Sequence, residues 1–488
     1  MHALDGIVPL IPLDRGARRP LHLQVCDGFR AAIARAELRP GQRIPSSRQL
    51  AAALGLSRMP VLTAYAQLTA EGYFEARAGA GTCISRALGG LARPAGGESP
   101  EPSRRPRPIS ARARRLPRFQ RPPWFGWGAF GVHQPALDQF PYGAWARLLQ
   151  RHARRPQGVP VERMHPAGAA QLREAICAYL LTARSVHCEA SQIIITSGSQ
   201  QAVDLCARVL CDPGTPVWFE DPGYWLARNA FVAQGVRLVP VPVDEEGLQV
   251  EAGQRFCRRA RLAYVTPSHQ YPLGATMSAA RRFQLLHWAE RNGAWIVEDD
   301  YDGEYRFSTK PVESLHGLDR SRRVIYIGTF SKVMFPSLRL GYLVLPADLV
   351  PAFIAMRRAA DICPSYWLQA ALADFIAEGH FARHIQRTRR VYAERQAALV
   401  ELLRARLSAE WKLYGEGAGL HLTMATSRRG CNDVAIATEA ARQELRLWPL
   451  SPAYWRRPRL QGFTLGFGSV EPNAMPAAVE RLRALLPW

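Results

Sequence analysis

The chain has 488 residues, is 48% hydrophobic and carries a formal net charge of +22. That length allows two to four domains with sizeable cores, and the composition is that of an ordinary globular protein. No charged-then-apolar leader and no bilayer-length apolar run appears, so a cytoplasmic protein without a membrane partner is expected. The nine cysteines are scattered with no C-x-x-C pair. That pattern fits reduced thiols better than a disulfide frame, and no metal site is expected.

From position 15 to position 123 there are 20 arginines and 6 acidic residues, a basic front end that suits a polyanion. Apolar residues at Leu21, Val25, Phe29 and Ile33 predict a helix over 21–36. Ser46 or Ser47 can cap a second helix carrying Leu50, Ala51 and Leu54, which Gly55 ends. Ser57 can cap a third, through Val61, Tyr65, Leu68 and Ala70, with Pro60 in its first turn, where a missing N–H is tolerated. Tyr73 to Arg77, the turn Ala78-Gly79-Ala80-Gly81 and then Thr82 to Ser85 predict a β-hairpin.

Two short helices joined by a glycine turn, followed by a wing, make a DNA-docking arrangement. Arg48 and Arg58, at the starts of the second and third helices, would face the groove, and helix N-termini favour phosphate. The run from Pro45 to Thr82 closely resembles the GntR-type winged helix, over residues 15–86. The resemblance implies DNA contacts from Ser46, Arg48, Ser57, Arg58, Tyr65, Arg77, Gly79 and Gly81.

Residues 87–123 are rich in Pro, Gly and Arg without periodicity and read as an extended tether. Beyond Trp124, apolar runs at 193–196, 217–220, 238–241, 262–266, 295–298, 324–329 and 340–345 alternate with helical stretches. That alternation predicts an α/β domain over 124–488 with a mostly parallel sheet, and the tail from about 364 reads as a small α+β subdomain.

Only three of the 63 basic residues are lysines: Lys310, Lys332 and Lys412. Where a charge or a phosphate fork suffices, this chain uses arginine, so a lysine in the right context marks amine chemistry. Lys310 and Lys412 read as surface residues. Lys332 follows an apolar strand, with Ser331 and Arg339 close by for phosphate. Ser199 and Gln200 open a helix after another strand, where backbone N–H groups can hold phosphate. Asp299 and Tyr301 follow a third strand; a carboxylate there can bond a pyridinium nitrogen and a phenol a phenolate oxygen. Together these describe a pyridoxal phosphate pocket, with Lys332 as the Schiff-base lysine.

Residues 130–488 resemble fold-type-I aminotransferases, and the whole chain resembles the MocR/GabR regulators. Supporting runs are Glu220-Asp221-Pro222-Gly223-Tyr224, Thr266 to Gly274, Glu298 to Asp302, and Gly419-Leu420-His421. The resemblance implies that Tyr224 stacks on the cofactor ring, that Asp299 and Tyr301 pair its nitrogen and phenolate oxygen, and that His269 makes a polar contact near it. Two positions depart from the family pattern. Thr464 stands where transaminases commonly place an arginine for the substrate carboxylate, which argues against ordinary amino-acid turnover. Arg163 to Gly168 stands where a neighbouring subunit's tyrosine often reaches the phosphate, leaving Arg163 or His165 as substitutes.

The expected protein is a transcriptional regulator that binds an operator in double-stranded DNA. It would sense an amine, an amino acid or pyridoxal phosphate itself through exchange at Lys332. A homodimer in head-to-tail arrangement is expected from the resemblance. The alternative is a working aminotransferase with a DNA-binding head; a DNA-binding protein with an empty pocket is a third reading, against which the four residues Lys332, Asp299, Tyr301 and Arg339 argue.

Overall fold

The computed structural model describes residues 6–77, 81–90, 108–116, 121–154, 164–307, 313–428 and 430–487. They fall into two units, Met1–Pro108 and Ile109–Trp488.

The first unit holds α1 (Leu21–Ala34), α2 (Ser47–Leu54), α3 (Arg58–Ala70) and the antiparallel pair β1 (Phe74–Arg77) and β2 (Gly81–Ile84). Ser46 caps α2 reciprocally: its hydroxyl accepts the Gln49 N–H, and the Gln49 side chain accepts the Ser46 N–H. Gly55 then takes φ +64°, the left-handed turn that ends the helix and starts the approach to α3. Ser57 sits at the N-cap of α3, but its hydroxyl makes no capping hydrogen bond, contrary to expectation. Val25, Phe29, Ile33, Leu50, Val61, Leu68 and Phe74 form the core. Ile7 and Ile11, ahead of the expected start at residue 15, are buried in it too.

The expected tether is only partly as read. Residues 91–107 and 117–120 lie outside the described residues. Ala111–Arg115 is a short helix, α4, capped by the Ser110 hydroxyl, and it packs on the helix Trp225–Ala233 of the second unit. Five residues with three arginines carry no apolar periodicity, so packing rather than pattern makes this turn.

The second unit is built on an eight-stranded sheet: β3 (Ile193–Thr196), β4 (Pro216–Asp221), β5 (Arg237–Asp244), β6 (Gly247–Leu248), β7 (Leu262–Val265), β8 (Trp295–Asp299), β9 (Val324–Thr329) and β10 (Gly341–Val344), in the order β3-β10-β9-β8-β7-β4-β5-β6. The run β9-β8-β7-β4-β5 is parallel throughout. β10 runs antiparallel to both β3 and β9, which the sequence pattern does not indicate. Strands buried on both faces read as continuous apolar runs, as Ile193–Thr196 and Leu262–Val265 do. A smaller antiparallel sheet follows: β11 (Lys412–Tyr414), β12 (His421–Thr426), β13 (Trp448–Pro449) and β14 (Gln461–Gly466), in the order β11-β12-β14-β13. Among the described residues no helix is long and apolar enough to cross a membrane.

Candidate functional site

The carboxyl ends of β7, β8 and β9 open onto one cavity, as ligand sites in α/β sheets do. It is lined by His133, Ser199, Tyr224, Thr266, Tyr271, Asp299, Tyr301 and Lys332. Five of these are expected from the sequence; His133, Thr266 and Tyr271 are not among the expected ligands. Lys412 is exposed at the start of β11, and Lys310 lies outside the described residues.

Loss of hydration pulls the Lys332 ammonium down to about 7, opposed by Asp299 and Asp302 and reinforced by Arg339. The same cause raises Asp299 to about 7; a hydrogen bond from Tyr264 and the charge of Lys332 oppose the rise, and Asp300 adds to it. The Tyr264 hydroxyl donates to Asp299 Oδ2 at 2.6 Å. Asp299 Oδ1 is buried with no partner, and so is the Ser331 hydroxyl. Buried polar atoms are nearly always bonded, so these two stand ready for a ligand.

Tyr301 donates to the His269 carbonyl at 2.9 Å. His269 Nδ1 lies 2.9 Å from Asp302 Oδ2, which also accepts the Leu420 N–H. A carboxylate partner makes Nδ1 a protonated nitrogen, and Nε2 is buried and unpartnered. His269, Asp302 and His421 also bring ligand-type atoms within 4.8 Å of one another. Those atoms are already engaged in protein hydrogen bonds: His269 with Asp302, and His421 Nε2 with the Pro272 carbonyl at 3.3 Å.

Ser199 opens the helix Ser199–Leu210. Gly198 before it has φ +86°, the backbone state that favours glycine, and a Cβ there would press on the Arg339 guanidinium at 3.0 Å. Arg339 donates to the Ser197 carbonyl at 3.1 Å, which holds its charge beside the free N–H groups of that helix start. The Gln200 side-chain N–H donates to the Leu226 carbonyl at 2.9 Å, while its Oε1 is buried without a partner and its backbone stands in the first turn of the helix. Thr464 is buried on β14; its hydroxyl lies 3.1 Å from that of Thr423. His165 accepts the Ala167 N–H in an exposed turn, and Arg163 lies outside the described residues.

On the first unit, Ser46, Arg48, Ser57 and Arg58 are exposed at the starts of α2 and α3. Arg58 Nε donates to the Ser47 hydroxyl at 3.3 Å, tying the two helix starts together. Arg77 pairs with Gly81 across the wing, while Gly79 lies outside the described residues. The Tyr65 ring is buried edge-on to Phe29 and Phe74, and its hydroxyl donates to the Pro45 carbonyl at 2.8 Å, so it supports the turn before α2 at the floor of the groove that Ser46 and Ser47 also line. Arg43, exposed and not expected from the sequence, lines the same groove as Ser46, Ser47 and Gly81.

A winged helix and an aminotransferase fold with a buried lysine define a DNA-binding regulator built on an enzyme scaffold. Residues 21–84 match the gntR family of bacterial regulatory proteins, and residues 143–448 match the aminotransferase class I and II family. The probable rhizopine catabolism regulatory protein MocR of Rhizobium meliloti is 41% identical over 97% of this chain and 95% of its own length. The pyridoxine biosynthesis transcriptional regulator PdxR of Corynebacterium glutamicum is 32% identical, covering 93% of both chains. Among solved structures, the α-aminoadipate aminotransferase LysN of Thermus thermophilus, complexed with N-(5'-phosphopyridoxyl)-L-leucine, matches 77% of this chain and 94% of its own, with a TM-score of 0.68 and 28% identity. The chain belongs to the MocR-type transcriptional regulators, in which a gntR-type DNA-binding domain is joined to an aminotransferase-like domain.

Proposed function

We propose that the second unit is an amine sensor, holding pyridoxal phosphate at Lys332 and reporting its exchange with an amine, an amino acid or the free cofactor to the DNA-binding head. The aminotransferase class I and II match and the phosphopyridoxyl ligand of the Thermus neighbour indicate pyridoxal phosphate as the cofactor. The donor set fits it: a lysine at about 7, a buried carboxylate oxygen and a buried hydroxyl without partners, and a helix start beside an arginine. When bound, the cofactor supplies an aldehyde carbon that primary amines capture.

In this reading Lys332 presents a partly neutral amine to that carbon. Asp299 Oδ1 would pair the ring nitrogen and keep it protonated, with Tyr264 fixing the carboxylate plane. Tyr301, whose hydroxyl now donates to the His269 carbonyl, would turn it to the phenolic oxygen, and Tyr224 would cover a ring face. Ser199, Ser331 and Arg339 hold the phosphate. Residues 15–86 form the operator-binding head, 87–123 the connection and 124–488 the sensor, with a small subdomain from about 364. A head-to-tail homodimer belongs to the same proposal, since fold-type-I pockets form between subunits.

The observation that carries the reading is the buried, cavity-lining Lys332 in a chain whose other end is a gntR-type head. Amino-acid turnover is the second reading, favoured by the intact set of Lys332, Asp299 and Tyr301. Absorbance spectra and DNA binding of the purified full chain, with pyridoxal phosphate and an amino-acid panel, decide between them. Keto-acid release without any effect on DNA binding would establish the enzyme; amine-dependent DNA binding without release establishes the sensor.

A further inference from the structure

His133 occupies the ligand end of the Lys332 cavity in an unusual backbone state. Its φ is +69°, in the left-handed region that favours glycine. Such strain persists only where the surroundings impose it, and it gathers at functional sites. Three aromatic side chains fix the ring: it stacks on Tyr271 at 5.7 Å and 25°, and meets Tyr224 and Trp448 edge-on at 6.2 Å and 6.0 Å. The ring lines the cavity, yet Nε2 is shielded from solvent and has no hydrogen-bond partner.

Several polar groups around it are uncharged or already hydrogen-bonded. Loss of hydration, with Lys332 and His421 adding, keeps His133 neutral. His421 is held neutral by the same main cause and faces the Pro272 carbonyl. Thr423 donates to that carbonyl at 2.7 Å, and its hydroxyl also meets that of Thr464. Among the described residues, Arg339 is the arginine whose charge registers at Lys332, and it is bonded at the Ser197 turn. Among the described residues the positive charge that registers at His133 is that of Lys332, which the cofactor would engage, so a carboxylate placed against His133 would lose its water with no counter-charge of its own. A hydroxyl or amide would find an unspent partner in His133 Nε2.

We propose that this pocket selects a primary amine whose far end is an uncharged hydrogen-bonding group, and that His133 is the residue that reads that group. The proposal rests on the reading of Lys332 as the amine-exchanging residue.

The test uses the full chain loaded with pyridoxal phosphate. Ethanolamine, ethylamine and free glycine, with their one-carbon-longer counterparts, are titrated by calorimetry and by cofactor absorbance. The amino alcohols bind about tenfold or more tighter than the amino acids of equal length. His133→Gly, which accepts the positive φ, cuts the ratio of amino-alcohol to alkylamine affinity, both measured on the variant, about five- to tenfold. His133→Asn, also tolerant of that backbone, retains part of the advantage. Amino acids binding as tightly as amino alcohols overturn the uncharged-end assignment. An unchanged amino-alcohol advantage in His133→Gly overturns the role of His133. Absence of a cofactor band in the wild type, read before any amine is added, overturns the proposed function itself and this inference with it.

Discussion

The Tyr264 hydroxyl and Asp299 Oδ2 meet at 2.6 Å inside the sheet, and the other carboxylate oxygen is left bare toward the cavity. The two residues lie on neighbouring parallel strands, so the sheet register, not a loop, sets their meeting. A carboxylate pinned on one oxygen presents the other in a fixed direction, the orientation a ring nitrogen needs.

Tyr264→Phe removes that bond while keeping the ring. The hydrogen bond favours the charged carboxylate, so its loss pushes Asp299 further above about 7. Pyridoxal phosphate affinity is expected to fall about tenfold, the effect of one bond to a charged group. Absorbance titration of the apo-protein measures it; an affinity equal to wild type would show that Asp299 needs no such support.

Lys332 carries a pH signature. Its folded value of about 7 lies below the unperturbed value, so its amine is mostly neutral above pH ~7. The rate of cofactor capture by apo-protein should therefore rise with pH through about 7 and then level, where an exposed lysine would still be rising toward ~10. Stopped-flow absorbance follows this directly. Lys332→Ala should abolish the lysine-dependent visible band and, because it removes a desolvated amine, should not lower the melting temperature.

Arg58, exposed at the start of α3 and tied to Ser47, is expected to neutralise about one phosphate. Arg58→Ala should weaken duplex binding and reduce the slope of log affinity against log salt by about 1. Fluorescence anisotropy at several salt concentrations measures both, and an unchanged slope would remove Arg58 from the interface.

Tyr65 should behave in the opposite way. Tyr65→Phe leaves the Pro45 carbonyl without its donor and should destabilise the first unit by about 1 kcal/mol. Thermal melting of the full chain reads the loss. The salt slope should stay at the wild-type value, since no phosphate contact is removed.

Much of this site is legible because its chemistry is tied to strand ends. Asp299 ends β8, Lys332 follows β9, and Ser199 opens a helix after β3, each at a boundary that the apolar runs mark. Residues whose role arises from packing are not marked in that way. Tyr65 has the same helical spacing whether it faces core or DNA. His133 lies in irregular chain with no periodicity, and only its φ and its aromatic neighbours reveal it. Gln200 sits where a phosphate cradle begins, yet the neighbouring helix takes its amide.

By itself the sequence determined the joining of two modules, the mostly parallel α/β class and the lysine proposed to carry the chemistry. These follow from local signals: helix caps, buried-strand composition and the rarity of an amine among sixty arginines. The tertiary structure decided the antiparallel entry of β10, the pinning of Asp299 by Tyr264 and the turn of His133 into the cavity. Each depends on residues far apart in the chain being brought to contact distance, where desolvation and hydrogen bonding assign roles that spacing along the chain does not encode.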